Sequence, residues 1–305
     1  MSRMSRTPDD PSAGGRRTQT SPLNANLSIS IAGLRRAPGS DGVTFSSVRD
    51  AIAWGAALGF QAIQLDGTWP EARARDLSRS GRRDIASILK RHGAAFSGLD
   101  LWIPPTHWLD TAHVDRAADA VLQAIELASE LASLALGLTS AAPMPGAGRV
   151  VCIEFPTATP RPVLASLGAA AARHGVLIAD HHWDQSPAPS TAISEAAIRT
   201  PNAIAGIAPG LDPTAVLIAK ADPVTIAASL ASTVTSARLC DLASTGRVHL
   251  GSPQGRLDVD AYRAALDAGG YRGPLVLDLR GLEDPLRGGE QGAALLRRAQ
   301  FLPFA

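Results

Sequence analysis

The chain of 305 residues has little cysteine, few aromatic residues and almost no net charge. Its two cysteines, Cys152 and Cys240, each lie inside an apolar run, which predicts buried free thiols and favours a reducing cytoplasm over a disulfide framework. The formal net charge of +1 argues against the basic surface that binds nucleic acid or an anionic membrane. No apolar run approaches the roughly 18 residues that predict a transmembrane helix.

The N-terminal segment differs in composition from the rest of the chain. Residues 1–24 are rich in Ser, Arg, Pro and Gly and lack an apolar period, which predicts a disordered polar tail before one folded domain over residues 25–305. The pair Arg16–Arg17 is typical of a twin-arginine export signal, but the polar stretch TQTSPLNA follows where such a signal needs an apolar segment. We therefore expect the protein to stay in the cytoplasm.

Short apolar runs alternate with helical patterns along the rest of the chain. The predicted strands are 27–34, 60–67, 94–105, 150–156, 176–183, 204–213, 236–242 and 274–281. The intervening helices end at Gly59, Gly93, Gly175 and Gly270, where a glycine is expected to stop a helix. The segment LALGLTSAAPMPGAG (134–148) is interpreted as a helix end plus an insertion. Eight strand–helix units of this length predict a (β/α)₈ TIM barrel. An open doubly wound sheet is the alternative, but no Gly-rich phosphate fingerprint follows a strand.

The ends of the predicted strands carry the candidate functional residues, because barrel enzymes place their sites at the carboxyl ends of strands. The polar residues there are Asp66, Asp100, Glu154, Asp180, His181, Asp212, Arg238, Asp241, Asp278 and Arg280. Four tryptophans also follow strands, namely Trp69, Trp102, Trp108 and Trp183. Aromatic faces beside carboxylates suit a sugar or polyol, although each tryptophan could equally be apolar filler.

Five stretches carry a recognisable pattern: AIAWGAALGFQAIQLDG, RHGVLIADHHW, GLDPTAVL, ARLCDL and GSPQGRLDVDAYRAALDAGGYRGPLVLDLRG. Together they resemble the xylose isomerase-like sugar isomerase/epimerase family, which shares its fold with endonuclease IV. The similarity runs from about Leu27 to the C-terminus, and the last stretch with its Gly-Tyr-x-Gly turn is the most specific part. The resemblance implies a barrel in which Glu, Asp, His and Glu, at the ends of strands five to eight, hold a divalent metal.

This sequence has charged residues at the four positions of that metal site, but three of the four residue types differ from those of the family. The corresponding positions are Asp180, Asp212, Arg238 and Asp278. An arginine is permanently charged, only donates hydrogen bonds and cannot ligate a metal, so Arg238 is expected to take the place of the cation among the carboxylates. The alternative is a Mn²⁺ or Mg²⁺ ion held by the three aspartates if His181 or His182 turns inward. The sequence favours the site without metal.

The resemblance implies an isomerase or epimerase that moves a proton next to the carbonyl of a small sugar or sugar phosphate. The expected acid/base pair is Asp180 and Asp278, with pKa values raised by mutual repulsion and burial. Arg238, or a metal, would stabilise the enediolate oxygen. The expected substrate-binding residues are His107, His181, Trp102, Trp183, Asp66 and Arg280.

Other interpretations of the same residues stay open. The barrel could bind a sugar-like ligand or a partner without catalysis. Asp212 precedes Pro213 and could be only a helix N-cap, and Asp241 could pair with Arg238. DNA repair of the endonuclease IV type is disfavoured, because it needs zinc-binding histidines and a basic groove. The expected partner is therefore a sugar-like small molecule, and the sequence leaves the oligomeric state open.

Overall fold

The computed structural model describes residues 27–34, 45–136, 148–183 and 204–300. The predicted polar tail over 1–24 and most of the predicted insertion over 134–148 lie outside these ranges. No helix in the described ranges is long and apolar enough to cross a membrane.

Eight parallel strands in the described part of the chain close into a barrel in the order β1-β10-β7-β6-β5-β4-β3-β2. They are β1 (Leu27–Ser30), β2 (Ala62–Asp66), β3 (Ala95–Asp100), β4 (Val150–Ile153), β5 (Leu177–Asp180), β6 (Ile207–Leu211), β7 (Ser236–Leu239) and β10 (Leu275–Leu277). The barrel closes where β1 pairs with β10, in a register that places Ser28 opposite Val276. All eight predicted strands and the predicted TIM barrel are confirmed.

Helices follow the strands and surround the barrel. They are α1 (Val48–Ala57), α2 (Arg79–Arg91), α3 (Pro105–Leu109), α4 (Val114–Leu136), α5 (Arg161–His174), α6 (Pro213–Ile218), α7 (Pro223–Leu230), α8 (Val259–Ala268) and α9 (Pro285–Gln300). The glycines expected to stop helices have positive φ, for example 62° at Gly175, the C-cap of α5. This left-handed conformation costs glycine little, which explains why the stop signals could be recognised in the sequence.

A β-hairpin interrupts the last repeat. It consists of β8 (Asp241–Ala243) and β9 (Gly246–Val248), which pair antiparallel directly after β7. Gly246 has φ 131° at the turn, a conformation that L side chains rarely adopt. The sequence predicts only a polar loop here, and this prediction is wrong because the two strands have three residues each, too few to show an alternating pattern.

The Gly-Tyr-x-Gly turn joins α8 to β10, and its tyrosine connects this turn to β7 by a hydrogen bond. The buried hydroxyl of Tyr271 accepts a hydrogen bond from the Ala237 amide (2.9 Å) and donates one to the Pro274 carbonyl (2.6 Å). A Cβ at Gly273 would lie 2.7 Å from both the Tyr271 hydroxyl and the Thr235 carbonyl oxygen. The motif therefore fixes the two strands whose ends carry Arg238 and Asp278.

Small polar side chains fill the barrel below its carboxyl-end mouth. The hydroxyls of Ser28 and Ser97 lie 2.6 Å apart, and the Cys152 thiol donates to the Ser236 hydroxyl (3.3 Å). Ser236 precedes Arg238 by two residues on β7, so both side chains face the barrel interior. The charged residues of the mouth lie directly above these hydrogen-bonded side chains.

Candidate functional site

Arg238 lies at the centre of the barrel mouth and is almost fully buried. Its Nη2 donates to Oδ1 of Asp100 (2.9 Å), at the end of β3. Its Nη1 donates to Oδ2 of Asp212 (3.1 Å) and to Oε1 of Glu154 (3.1 Å), which follow β6 and β4. The guanidinium therefore connects carboxylates from three other strands.

Two further arginines complete an arginine–carboxylate network. Arg247, on β9, donates from Nη2 to Oδ2 of Asp212 (2.7 Å) and from Nη1 to Oδ2 of Asp278 (2.8 Å). Arg280, after β10, donates from Nε and Nη2 to the two oxygens of Asp278 (3.0 and 2.8 Å) and from Nη1 to Oδ2 of Asp100 (3.0 Å). The network consists of Arg238, Arg247 and Arg280 with Asp100, Asp212, Asp278 and Glu154.

The network balances its buried charges internally. Three guanidiniums face three buried aspartates, while the side chain of Glu154 is 50% exposed. Burial would raise the pKa of Asp278, but Arg280 and Arg247 hold it well below its usual range. Burial likewise raises the pKa of Asp212, but the combined effect of Arg247, Arg238 and the hydrogen bond from Thr214 holds it below its usual range. The raised pKa expected for Asp278 is therefore wrong, because the cations beside it outweigh both burial and repulsion.

Asp212 is both the N-cap of α6 and a member of the network. Its Oδ1 accepts from the amide and hydroxyl of Thr214 (2.9 and 2.6 Å) and so caps α6, with Pro213 in the first helical position. Its Oδ2 faces Arg238 and Arg247. The cap thus orients a carboxylate that also belongs to the network.

The side chains of the network do not fit a divalent metal. In the described part of the chain, ligand atoms of Asp212, Cys240 and Asp278 lie within 4.8 Å of one another. However, Oδ2 of each aspartate already accepts hydrogen bonds from two guanidiniums. Burial and the adjacent Asp212 raise the pKa of the Cys240 thiol well above its ordinary value, so it is a neutral donor. Mg²⁺ and Mn²⁺ prefer oxygen ligands that are free of competing cations.

His181 is buried beside this network. Neither of its ring nitrogens has a hydrogen-bond partner within the described ranges. Its ring packs against Gly210 on β6, where a Cβ would lie 2.6 Å away. Burial, followed by the charge of Arg238, keeps the pKa of His181 well below its usual value, so the imidazole is neutral at physiological pH.

A polar cleft of about 410 Å³ opens next to His181. It is lined by Glu154, Thr157, His181, His182, Trp183, Asp212, Thr214, Ala215, Ile218 and Arg247. The ends of β4, β5 and β6 therefore surround one concave surface that reaches the arginine–carboxylate network. Among the expected substrate-binding residues, His181 and Trp183 line this cleft.

The other expected substrate-binding residues lie elsewhere around the mouth. Trp102 and His107 line a separate, mostly apolar cavity of about 440 Å³ between the loops after β2 and β3 and helix α4. Asp66 is buried at the end of β2, where its Oδ1 accepts from the amide and hydroxyl of Thr68 (2.8 and 2.6 Å). Burial raises the pKa of Asp66, an effect that the hydrogen bonds to Thr68 oppose. Arg280 belongs to the network.

Two expected features of the rim have structural roles instead. Trp69 and Trp108 are buried in the core, and Trp108 packs edge-on against Phe155 with ring centroids 5.0 Å apart. Asp241 does not pair with Arg238, because its Oδ1 accepts hydrogen bonds from the amides of Arg256 (2.8 Å) and Leu257 (2.9 Å). A position after a strand thus does not by itself place a side chain in the open mouth.

Asp180 bonds the backbone at the ends of two neighbouring strands. Its Oδ1 accepts from the amides of Phe155 (3.1 Å) and His182 (3.0 Å), which follow β4 and β5. The carboxylate therefore holds together the backbone on which Glu154 and His181 lie. Arg247 was not among the residues predicted for the site. The sequence feature that indicates its position is the Thr-Gly pair before it, in TGRV, which is typical of a turn between two short strands.

The fold and the site together define a class of protein, a (β/α)₈ barrel with its polar centre at the carboxyl ends of the strands. Residues 52–299 match the family model described as xylose isomerase-like TIM barrel. The chain belongs to this family. No curated protein matches it significantly.

Solved structures share the fold at low sequence identity. The chain is similar to L-ribulose 3-epimerase, with TM-score 0.61 and 17% identity over 90% of this chain and 95% of that one. It is similar to a xylose isomerase-like TIM barrel protein from Mycobacterium smegmatis in complex with magnesium, with TM-score 0.61 and 14% identity over 90% and 95%. It is also similar to D-allulose 3-epimerase from Methylomonas sp. in complex with D-allulose, with TM-score 0.59 and 14% identity over 92% and 99%.

One of the similar structures is much longer than this chain. The chain spans 42% of a xylose isomerase-like TIM barrel/4-hydroxyphenylpyruvate dioxygenase fusion protein, with TM-score 0.59 and 16% identity over 88% of this chain. At these identities the similarities show the fold alone.

Proposed function

We propose that this chain is a metal-independent isomerase or epimerase acting on a small polyhydroxy carbonyl compound. The observation that carries the proposal is the position of Arg238, whose guanidinium bonds Asp100, Asp212 and Glu154 in the barrel mouth. The family resemblance places a divalent metal among the residues at the ends of strands five to eight. A guanidinium there supplies a fixed positive charge for a developing oxyanion without a metal ion.

Proton transfer is assigned to Glu154. The sequence-based assignment to Asp278 is not retained, because Arg247 and Arg280 occupy both of its oxygens and hold its pKa low. Glu154 has a half-exposed side chain on the polar cleft. Its carboxylate takes the proton from the carbon beside the carbonyl, and the C–H electron pair forms the enediolate. Isomerisation is complete when Glu154 returns the proton to the neighbouring carbon and the hydroxyl proton moves to the former carbonyl oxygen. Epimerisation is complete when water protonates the opposite face of the carbon and the resulting hydroxide takes the proton from Glu154.

Two other groups support this step. Arg247 lines the cleft, and the positive charges of Arg247 and Arg238 stabilise the negative oxygen of the enediolate while their N–H groups stay bonded to the aspartates. The neutral His181 ring adds a hydrogen-bond donor to an oxygen without adding charge. Asp180 acts as a positioning residue, because it fixes the backbone next to Glu154 and His181.

Deuterium exchange tests this proposal. Metal-stripped protein is incubated with a panel of aldoses and ketoses in D₂O, and NMR measures deuterium incorporation at the carbon beside the carbonyl. We expect incorporation that EDTA does not change, and a loss of about 100-fold or more in Glu154→Gln. Glu126→Gln, on the exposed face of α4, is the matched control with unchanged exchange. Exchange that EDTA abolishes and Mn²⁺ restores would contradict a metal-independent reaction.

A second candidate function is sugar binding without turnover. It is favoured by one observation: guanidiniums neutralise all three buried aspartates of the network. In this case sugars raise the melting temperature, but no sugar of the panel exchanges deuterium. The two functions are therefore distinguished by the same set of samples.

We also propose a reducing cytoplasm as the location of the protein. The two cysteines are buried free thiols, and burial raises the pKa of Cys152 to about 11. Thiols of this kind need no oxidising compartment.

A further inference from the structure

We propose that the apolar cavity between helix α4 and the loops after β2 and β3 binds a small aromatic carboxylate. None of its described lining residues belongs to the arginine–carboxylate network or lines the polar cleft. The inference therefore concerns a second binding site, outside the centre of the barrel mouth, and it does not rest on the proposed function.

The cavity exists because small side chains lie on one face of α4. Ala120, Ala124 and Leu127 line it, and their spacing of four and three residues places them on the same side of the helix. The two alanines leave space that larger side chains would fill in a close-packed core. The resulting volume of about 440 Å³ lies within the range of small-molecule pockets.

The wall opposite α4 is apolar and aromatic. It contains Leu99, at the end of β3, and Leu101 and Ile103 from the loop after β3. Trp102 also lines the cavity, and it is 59% exposed, more than any other large hydrophobic side chain in the described ranges. An exposed indole at an apolar cavity offers a planar surface on which an aromatic ring can stack, and the removal of both surfaces from water favours binding.

The charge at the cavity favours a monoanion. The permanently charged groups among its described lining residues are Arg73 and Arg75, in the loop after β2. Both guanidiniums lie beside the single carboxylate of Asp76 (3.1 and 3.6 Å), so the three side chains together carry one positive charge. Arg73 also donates to the Thr68 carbonyl (2.9 Å), whereas the side chain of Arg75 is 61% exposed. A carboxylate balances this charge and matches the planar fork of Arg75.

The first experiment compares 2-naphthoate with its neutral amide, 2-naphthamide, by isothermal titration. We expect 2-naphthoate to bind with a dissociation constant below about 1 mM, and the amide to bind at least about threefold more weakly because it lacks the charge. Added salt should weaken the binding of 2-naphthoate alone, because it screens exposed charges. Equal affinities would overturn the preference for a carboxylate, and no binding of either compound would overturn the site.

Two variants test the location of the site. Ala120→Phe fills the cavity from a half-exposed position on α4, so we expect the affinity for 2-naphthoate to fall at least about tenfold and the free protein to stay folded. Arg75→Gln should lower the affinity for 2-naphthoate about threefold and leave that for the amide unchanged. Arg116→Gln, exposed on α4 and outside the cavity lining, is the matched control with unchanged affinity. Unchanged affinity in both Ala120→Phe and Arg75→Gln would overturn the proposal.

Tryptophan signals distinguish this cavity from the polar cleft. Nitrogen–proton NMR spectra of the wild type, Trp102→Phe and Trp183→Phe assign the indole N–H signals of the two residues, because each variant loses one signal. We expect 2-naphthoate to shift the signal of Trp102, which lines the apolar cavity, and to leave that of Trp183, which lines the polar cleft, unchanged. If the signal of Trp102 does not shift, the ligand binds elsewhere and the proposal fails.

Discussion

Replacing Arg238 with methionine is expected to lower the free energy of unfolding by about 3–5 kcal/mol. Methionine fills a similar volume but leaves two guanidiniums facing four carboxylates, three of them buried. The cost comes from buried charges that lose their partner, and it is much larger than the worth of an exposed ion pair. Urea unfolding at pH 7, followed by circular dichroism, measures the difference.

Two controls fix the interpretation of this result. Arg272→Met removes an arginine that is 64% exposed and pairs with the exposed Asp267, so we expect a change of at most about 1 kcal/mol. Arg238→Lys keeps the charge but cannot bond Asp100 and Asp212 with the planar fork, and we expect an intermediate loss. A loss at Arg238→Met as small as at Arg272→Met would show that Arg238 does not neutralise the buried aspartates.

The second large effect is expected for Asp278→Asn. The substitution leaves Arg247 with Asp212 and Arg280 with Asp100 as their remaining carboxylates, so we expect a loss of about 3–5 kcal/mol at pH 7. The folded-state pKa of Asp278 lies well below that of the unfolded chain, which is about 3.9. Its contribution to stability is therefore complete above about pH 4 and disappears as the pH falls through the lower folded-state pKa.

The pH dependence of this variant gives a sharper test than its stability alone. The gap between the wild type and Asp278→Asn should be constant from pH 7 to about pH 5 and should close as the pH falls below about 4. Asp267→Asn, at a side chain that is 81% exposed, is the control. If Asp278 instead had the raised pKa expected from the sequence, the wild type would gain stability on acidification near neutral pH, and the gap would widen there.

Much of the fold could be predicted because its signals are local. Gly59 and Gly175 end helices by adopting positive φ, and short β-rich runs precede each helix. The hairpin that carries Arg247 could not be found in this way, because its strands are too short to show a period. The fold class was therefore predictable, whereas the β8–β9 hairpin that brings Arg247 to the barrel mouth was not.

The candidate site was predicted only in part, because its properties arise from contacts between distant residues. Arg238 and Asp100 are 138 positions apart in sequence, and their pairing depends on how the barrel closes. The lowered pKa of Asp278 has the same origin, because Arg247 approaches from the hairpin. Sequence position correctly placed Asp212 and Arg238 at strand ends, but it did not distinguish the buried Trp108 from the exposed Trp102.

A contribution to stability alone does not explain why the barrel mouth contains an arginine–carboxylate network. A buried ion-pair network is often no more stable than apolar residues of the same volume, although removing one member is costly. The presence of three arginines and three buried aspartates in a barrel mouth is therefore consistent with a use of their charge. A fixed cation for an oxyanion is such a use, and it agrees with the polar cleft beside His181.

We propose that the guanidinium of Arg238 occupies the position of the divalent metal that the family resemblance implies. Isothermal titration of Mn²⁺ into metal-stripped wild-type protein, with the melting temperature recorded in the same samples, tests it most directly. We predict no binding at micromolar to millimolar Mn²⁺ and no change in melting temperature. Stoichiometric binding of Mn²⁺ together with a raised melting temperature, both lost in Asp212→Asn, would contradict the claim.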